Sequence, residues 1–170
     1  AVPLYSGLAI AGRVAARRQL GEQADAIGAG ESERVELRHA GDGDGLEQQQ
    51  RFDDRVETVG GEAVPYDQKV TCCGGALAFS EPEKSQKQIR DIVESAYDHG
   101  AEMIVTPCPL CQANVEIYQS EINKKQGTKF SMPVLYYSQL MTIAYGGSAK
   151  EAGLDGQLIK ATKLEEIARK

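Results

Sequence analysis

The chain reads as an α/β protein: a small parallel-sheet domain of strand–helix repeats with cysteine pairs at strand C-termini, preceded by a largely irregular N-terminal segment. Three observations carry that expectation. Short apolar, extended-type runs alternate with segments of helical period in the second half of the chain. Helix start and stop residues punctuate them at the right places. And the composition changes abruptly before residue 69, where a Gly- and acid-rich stretch gives way to an ordinary globular one.

Taken in order, Gly61–Pro65 and Lys69–Thr71 are short extended pieces leading into Cys72-Cys73-Gly74-Gly75. Ser80 can cap the next helix, with Pro82 in its first turn and Glu83 three residues after the cap in a capping-box arrangement. Ile89, Ile92, Val93 and Ala96 then recur at helical spacing, and Gly100 supplies the stop. Glu102–Thr106 is a compact strand running directly into Cys108-Pro109-Leu110-Cys111. A second helix follows, with Val115, Tyr118 and Ile122 on one face and Lys124-Lys125 near its end, where cations suit the helix dipole. Pro133–Tyr137 is another strand, and Ser138 can cap a helix carrying Leu140, Ile143 and Ala144. Strand–helix alternation of this kind implies a parallel sheet with right-handed crossovers.

The first part of the chain differs. Residues 1–68 contain seven Arg and no Lys, whereas residues 69–170 contain ten Lys and two Arg. The first segment has 13 acidic residues and a net charge of −6; the second carries 12 charges of each sign. Between Gly21 and Gly60 no period of 3.6 or 2 emerges, and large apolar groups are scarce. Such a composition buries too little surface to offset ordering entropy. The expected division is therefore an acidic, Gly/Arg-rich, mobile or atypical segment over 1–59 and a cysteine-rich domain over 60–170. The break in composition also raises the expectation that part of the upstream region is out-of-frame or truncated sequence joined to the domain.

The same numbers exclude some functions. A net charge of −6 with pI near 5.0 argues against nucleic acid, which needs a basic face to displace counterions. No apolar run approaches a membrane span, so no membrane insertion is expected. The opening AVPLYSGLAIAGRVAARR places its Arg residues after the apolar stretch, the reverse of a secretory signal. A cytoplasmic location is expected, where paired cysteines are more often ligands or redox thiols than structural disulfides.

All four cysteines of the chain fall in two tight pairs, Cys72-Cys73 and Cys108-x-x-Cys111. In the expected topology both pairs lie at carboxyl ends of strands, the edge where ligand sites of open α/β sheets collect, so pairs distant in sequence can converge there. Cys108 and Cys111 open a helix, whose free N–H groups and positive dipole end favour thiolate. Pro107 and Pro109 stiffen that turn. Adjacent side chains on an extended strand point to opposite faces, so Cys72 and Cys73 both reach one centre only if the chain bends, which Gly74 and Gly75 permit. Four thiolates can hold a 4Fe-4S cluster or a tetrahedral zinc, or act as metal-free redox thiols.

The stretch VTCCGGALAFSEPEKSQKQIRDIVESAYDHGAEMIVTPCPLCQANVEIYQ, continued by PVLYYSQLMTIAYG and EAGLD, resembles the cysteine-rich CCG domain of the heterodisulfide reductase B-subunit family over roughly residues 60–158. The resemblance implies an iron–sulfur redox subunit whose cluster is held by Cys72, Cys73, Cys108 and Cys111. In the best-known members of that family the cluster is a non-cubane 4Fe-4S type. It further implies a thiol or disulfide substrate, with heterodisulfide reductase-like partners that deliver electrons, one bearing flavin and one bearing iron–sulfur clusters (the family's A and C subunits). Catalytic B subunits resemble two such domains in tandem, each with an additional cysteine upstream of its CCG. Here there is one CCG sequence, matching the C-terminal copy, and no cysteine precedes Cys72. Tyr5-Ser6-Gly7 is a weak echo of the strand that carries the extra ligand, and His39 falls at about its distance, although a solvated loop histidine is the simpler reading.

Two other classes remain open on the residues alone. One is a cluster-free thiol–disulfide oxidoreductase using the CPLC dithiol; the other is a zinc-stabilised interaction module. His99 is expected to act as a helix C-terminal dipole partner, and Tyr136-Tyr137 to serve strand packing. RHAGDGDG at 38–45 lacks the spaced ligands and closing Glu of a calcium loop.

Overall fold

The computed structural model describes residues 10–14 and 45–169. The elements are strand β1 (Ile10–Val14), helix α1 (Gly45–Thr58), strand β2 (Gly61–Ala63), helix α2 (Pro82–Asp98) and strand β3 (Met103–Thr106). Helix α3 (Pro109–Gln126), strand β4 (Val134–Tyr136), helix α4 (Tyr137–Ala144) and helix α5 (Thr162–Ala168) follow, with 3-10 turns at Gly75–Leu77 and Leu154–Gly156.

The four strands form one sheet in the order β2-β1-β3-β4. β3 and β4 pair in parallel, with Ile104 opposite Val134 and Thr106 opposite Tyr136, and α3 is the crossover between them. The α/β class is thus as expected. The sheet is mixed, however: β1 pairs antiparallel with both β2 and β3.

Every residue of β3 is buried, because helices cover both faces of the sheet. Side chains alternate between the two faces with the strand period of two. Ile104 and Val134 face a core built with Ile89, Ile92, Val93 and Ala96 of α2 and Val115 and Ile122 of α3. Met103, Val105 and Leu135 face the opposite core, with Phe52 and Val56 of α1, Leu140 and Ile143 of α4, and Leu164 and Ile167 of α5. The result is a three-layer arrangement.

Several expectations are corrected. The stretch expected to be largely irregular, 1–59, contains two regular elements among its described residues, β1 and α1. Phe52, Val56 and Val59 do keep a helical spacing, but so short a series hardly stands out among the surrounding acids, Gln and Arg. All three are nonetheless buried in the core that β3 and α4 share. Asp53 on α1 also ion-pairs with Lys69 at 2.6 Å, with both side chains nearly covered, and accepts a 2.6 Å hydrogen bond from Gln49. Tyr5, Ser6, Gly7 and His39 lie outside the described residues.

Residues 67–70 form a turn rather than a strand, so Cys72-Cys73 does not sit at a strand C-terminus. The Thr71 N–H donates to Gln68 O at 3.0 Å and its hydroxyl to Gln68 Oε1 at 2.7 Å, closing that turn. Two β-branched residues do not outweigh these local bonds and the Lys69 ion pair. The serine caps also differ. Glu81 occupies the N-cap of α2 with Pro82 in its first turn, without a side-chain capping bond. Ser138 lies inside α4, whose start is held by the Tyr136 N–H donating to Gln139 Oε1 at 2.9 Å.

Gly100 behaves as the stop it resembles. It adopts φ +73°, and the Gly100 and Ala101 N–H groups close the end of α2 onto Tyr97 O and Ala96 O. His99 is exposed there, its Nδ1 2.8 Å from Ser95 O.

Candidate functional site

The CPLC pair is set by the β3–α3 junction, at the carboxyl end of β3 as expected. Thr106, fully buried, accepts a hydrogen bond from the Cys108 N–H at 3.2 Å through its hydroxyl, which fixes how the chain leaves the strand. Cys108 is the N-cap of α3 in extended conformation, and Pro109 takes the first helical position, where no donor is lost. Cys111 follows in the first turn and is buried at 4% exposure.

The CCGG loop arrives from the side, between the amino ends of α2 and α3. Gly74 holds φ +68°, which turns the chain straight after Cys73. A Cβ on Gly74 would stand 2.2 Å from Gln88 Oε1 and 3.0 Å from the Ser85 Cα of α2. One on Gly75 would stand 2.8 Å from Leu110 Cγ of the CPLC turn. The two motifs therefore pack against each other with glycine in the contact. Asn114 of α3, buried at 5% exposure, completes the junction: its Nδ2 donates to Cys73 O at 2.9 Å and lies 3.5 Å from Ser85 Oγ.

Three of the four thiols interact. The Cys111 thiol hydrogen-bonds the Cys73 sulfur and also reaches Cys108. Cys73 is 2% exposed, Cys108 half-buried, and Cys72 exposed. The hydrogen bond from Cys111 brings the Cys73 thiol down to about 6 against the opposing effect of burial, helped by the Gly75 N–H and the Asn114 amide. Cys111 moves the opposite way, pushed up by its bond to Cys73, by burial and by the charges of Cys73 and Cys108.

Among the described residues, no three His, Cys, Asp or Glu side chains already form a metal cage. The chemistry of the donor set nonetheless fits a thiophilic centre. It holds only sulfur donors, a helix amino end stands behind two of them, and Tyr66, Ile89 and Val115 belong to the apolar cluster around Cys73 and Cys111. Tyr66 is itself buried, and burial and then the Asp53 charge hold its phenol protonated.

Sequence reasoning did not single out Asn114, Thr106, Ser85 or Tyr66. Asn114, three residues beyond Cys111, lies on the buried side of α3 beside Val115, together with the polar Glu116 and Gln119; its spacing from Cys111 was the available signal. A cleft of about 270 Å³ lies at the opposite edge of the sheet, against Ala101, Glu102, Met103, Met132 and Pro133, and none of the cysteines lines it.

The comparisons with known proteins meet on the same segment. The family model described as a cysteine-rich domain, CCG, matches residues 40–116. The chain is 38% identical over 113 residues to the 8-methylmenaquinol:fumarate reductase membrane anchor subunit of Wolinella succinogenes, covering 66% of this chain and 40% of that protein. It is 34% identical over 120 residues to the B subunit of the ferredoxin/F(420)H(2)-dependent CoB-CoM heterodisulfide reductase of Methanosarcina acetivorans, covering 69% and 39%. A protein of Archaeoglobus profundus, named as similar to the heterodisulfide reductase B subunit, is 35% identical over 92 residues, 53% of this chain and 31% of that protein. The chain thus spans about two fifths or less of the length of these relatives. None of its described helices is long and apolar enough to cross a membrane.

Proposed function

Because the chain carries a cysteine-rich CCG domain and is a homologue of heterodisulfide reductase B subunits over its C-terminal region, we propose that it is an iron–sulfur redox subunit working on a thiol–disulfide couple or passing electrons within a larger complex. The observation that carries this reading is the meeting of the two cysteine pairs: Cys73, Cys108 and Cys111 interact across 38 residues of sequence, at the amino end of α3. Cys72, Cys73, Cys108 and Cys111 are the residues that would hold a 4Fe-4S cluster. When bound, the cluster supplies one-electron redox chemistry.

The rest is the work of this chain. The apolar cluster around Cys73 and Cys111 excludes water and lowers the local dielectric. The α3 amino end and the Gly75 N–H favour negative charge on sulfur. Exposed Cys72, with Leu110 and Phe79 also exposed, leaves one side of the site open to a substrate or a partner protein. Partners that deliver electrons belong to this reading, since the relatives are named as subunits of reductases.

The test is anaerobic purification or reconstitution of the full chain, followed by iron and sulfide determination and EPR. Brown protein with matched iron and sulfide, and a paramagnetic signal on reduction or thiol oxidation, is expected. Colourless, iron-free protein after reconstitution would rule the reading out.

One observation favours a second reading. Cys111 interacts with both Cys73 and Cys108, an arrangement that suits metal-free thiol–disulfide exchange. Reduction of a disulfide substrate such as insulin by iron-free protein would support it.

A further inference from the structure

We infer that Asn114 is the positioning residue that locks the CCGG loop onto the CPLC helix and so holds Cys73 in register with Cys108 and Cys111. The inference deepens the proposed function and rests on its reading of these cysteines as one centre.

Asn114 sits on α3 three residues after Cys111, so the same helix turn carries a thiol and an amide toward one side. Its Nδ2 donates to the Cys73 carbonyl at 2.9 Å across 41 residues of sequence. The second donor direction meets Ser85 Oγ at 3.5 Å on α2. Asn114, on the helix that the CPLC motif opens, therefore ties the CCGG loop to α3 and meets α2 as well, and it does so while buried.

The bond cannot be replaced locally. The loop 71–74 has no sheet partner to hold it. The Cys73 carbonyl is not among the backbone bonds that close the loop; those run from Leu77 to Gly74 O and from Ala78 to Gly75 O. Removing the amide leaves a buried carbonyl unsatisfied, and the loop escapes that cost only by moving outward. Movement of Cys73 by an ångström or so spoils a centre that needs several sulfurs at fixed distances.

The test uses Co(II) as a probe of thiolate geometry on the full, iron-free chain, alongside iron–sulfur reconstitution. Co(II) bound by several thiolates gives intense sulfur-to-metal charge transfer and tetrahedral d–d bands, so it reads the ligand set without any catalytic assay. Asn114→Leu, close in shape but without donors, is expected to keep the wild-type far-UV circular dichroism, to bind Co(II) at least tenfold more weakly and to lose charge-transfer intensity. Asn114→Asp keeps the size and removes the donors, and it takes the place of the Leu variant should that fail to fold; the same losses are expected. Ser85→Ala removes only the weaker 3.5 Å contact and should give a smaller change of the same kind.

Wild-type affinity and spectrum in folded Asn114→Leu or Asn114→Asp protein would overturn the inference, as would a wild-type chain that binds no Co(II). The two failures are separable. Iron that loads equally into wild type and variants removes the role of Asn114 and leaves the redox reading. Iron that never loads, with the Co(II) difference intact, removes the iron–sulfur reading and leaves the positioning role.

Discussion

At the scale of single residues, buried polar side chains do most of the organising. Gln119 of α3 mimics a strand neighbour: its Oε1 accepts from the Met132 N–H at 2.8 Å and its Nε2 donates to Met132 O at 2.9 Å. Asn123 does the same for Phe130, at 2.8 Å in each direction. Glu116 is buried and accepts the Ile159 N–H at 3.0 Å, tying the segment before α5 to α3. Burial raises the Glu116 carboxyl above its ordinary value, opposed by the Ile159 and Leu158 N–H groups and by Lys160. Between the ordinary and the raised value the folded chain binds more protons than the unfolded one, so stability through this group falls as pH rises across that window. Glu116→Gln keeps the acceptor and removes the charge. It should unfold at a higher midpoint than wild type at pH 7, and the advantage should vanish as the pH falls below the carboxylate range. A variant less stable than wild type at pH 7 would mean that the carboxylate charge stabilises the fold.

At the scale of elements, the site depends on how two helix starts meet one loop. Both α2 and α3 begin with proline in the first turn, and neither uses a side-chain N-cap bond. Their amino ends are occupied instead by the CCGG loop and its contacts with Ser85, Gln88, Leu110 and Asn114. The left-handed conformation of Gly74 is central to this. An alanine there costs about 1–2 kcal/mol of backbone strain, in addition to displacing Gln88 and pressing on the α2 backbone. Gly74→Ala should therefore lower the denaturant midpoint by an amount corresponding to at least that loss, and it should reduce iron content per chain after reconstitution. Unchanged stability and iron content would show that the loop tolerates another path. The sequence announced the two motifs and the flexibility of the glycines, and the position of both helices was legible from Ile89 to Ala96 and Val115 to Ile122. The clamp was not legible, because Asn114 makes bonds across 41 and 29 residues, to Cys73 and Ser85, that no local pattern encodes.

At the scale of the whole molecule, the sheet separates two cores, and one is completed by residues upstream of the expected boundary at 60. Phe52, Val56 and Val59 cover Met103, Val105 and Leu135, and Tyr137 packs edge-on against Phe52 with ring centroids 5.2 Å apart. The Tyr137 hydroxyl also donates to Arg55 O at 3.3 Å. Burying each of those large apolar side chains contributes roughly 1.5–3 kcal/mol, a large share of a typical folding free energy of about 5–15 kcal/mol. A chain beginning at residue 60 should accordingly lose cooperative unfolding, or melt far below the full chain, and should bind a hydrophobic dye. A sharp transition at the full-chain midpoint would instead support an autonomous unit over 60–170.

The sequence by itself determined the α/β class, strands over 102–106 and 133–137 that fold as 103–106 and 134–136, the helices α2 and α3 and the two thiol motifs, because each rests on a local period, a stop residue or a spacing of a few positions. It also placed Cys108 and Cys111 at a strand end and helix start, since Thr106, Pro107 and Pro109 are neighbours in the chain. Only the tertiary structure decided that β1 enters the sheet antiparallel between β2 and β3, that α1 closes one face, and that the CCGG loop is reached from a turn rather than a strand. Those outcomes depend on long-range burial and on buried hydrogen bonds, whose energies exceed the weak local preferences of a short or mixed segment. The meeting of Cys73 with Cys111 belongs to the same class: proximity of two distant thiols is a property of packing, set here by one buried asparagine and one left-handed glycine.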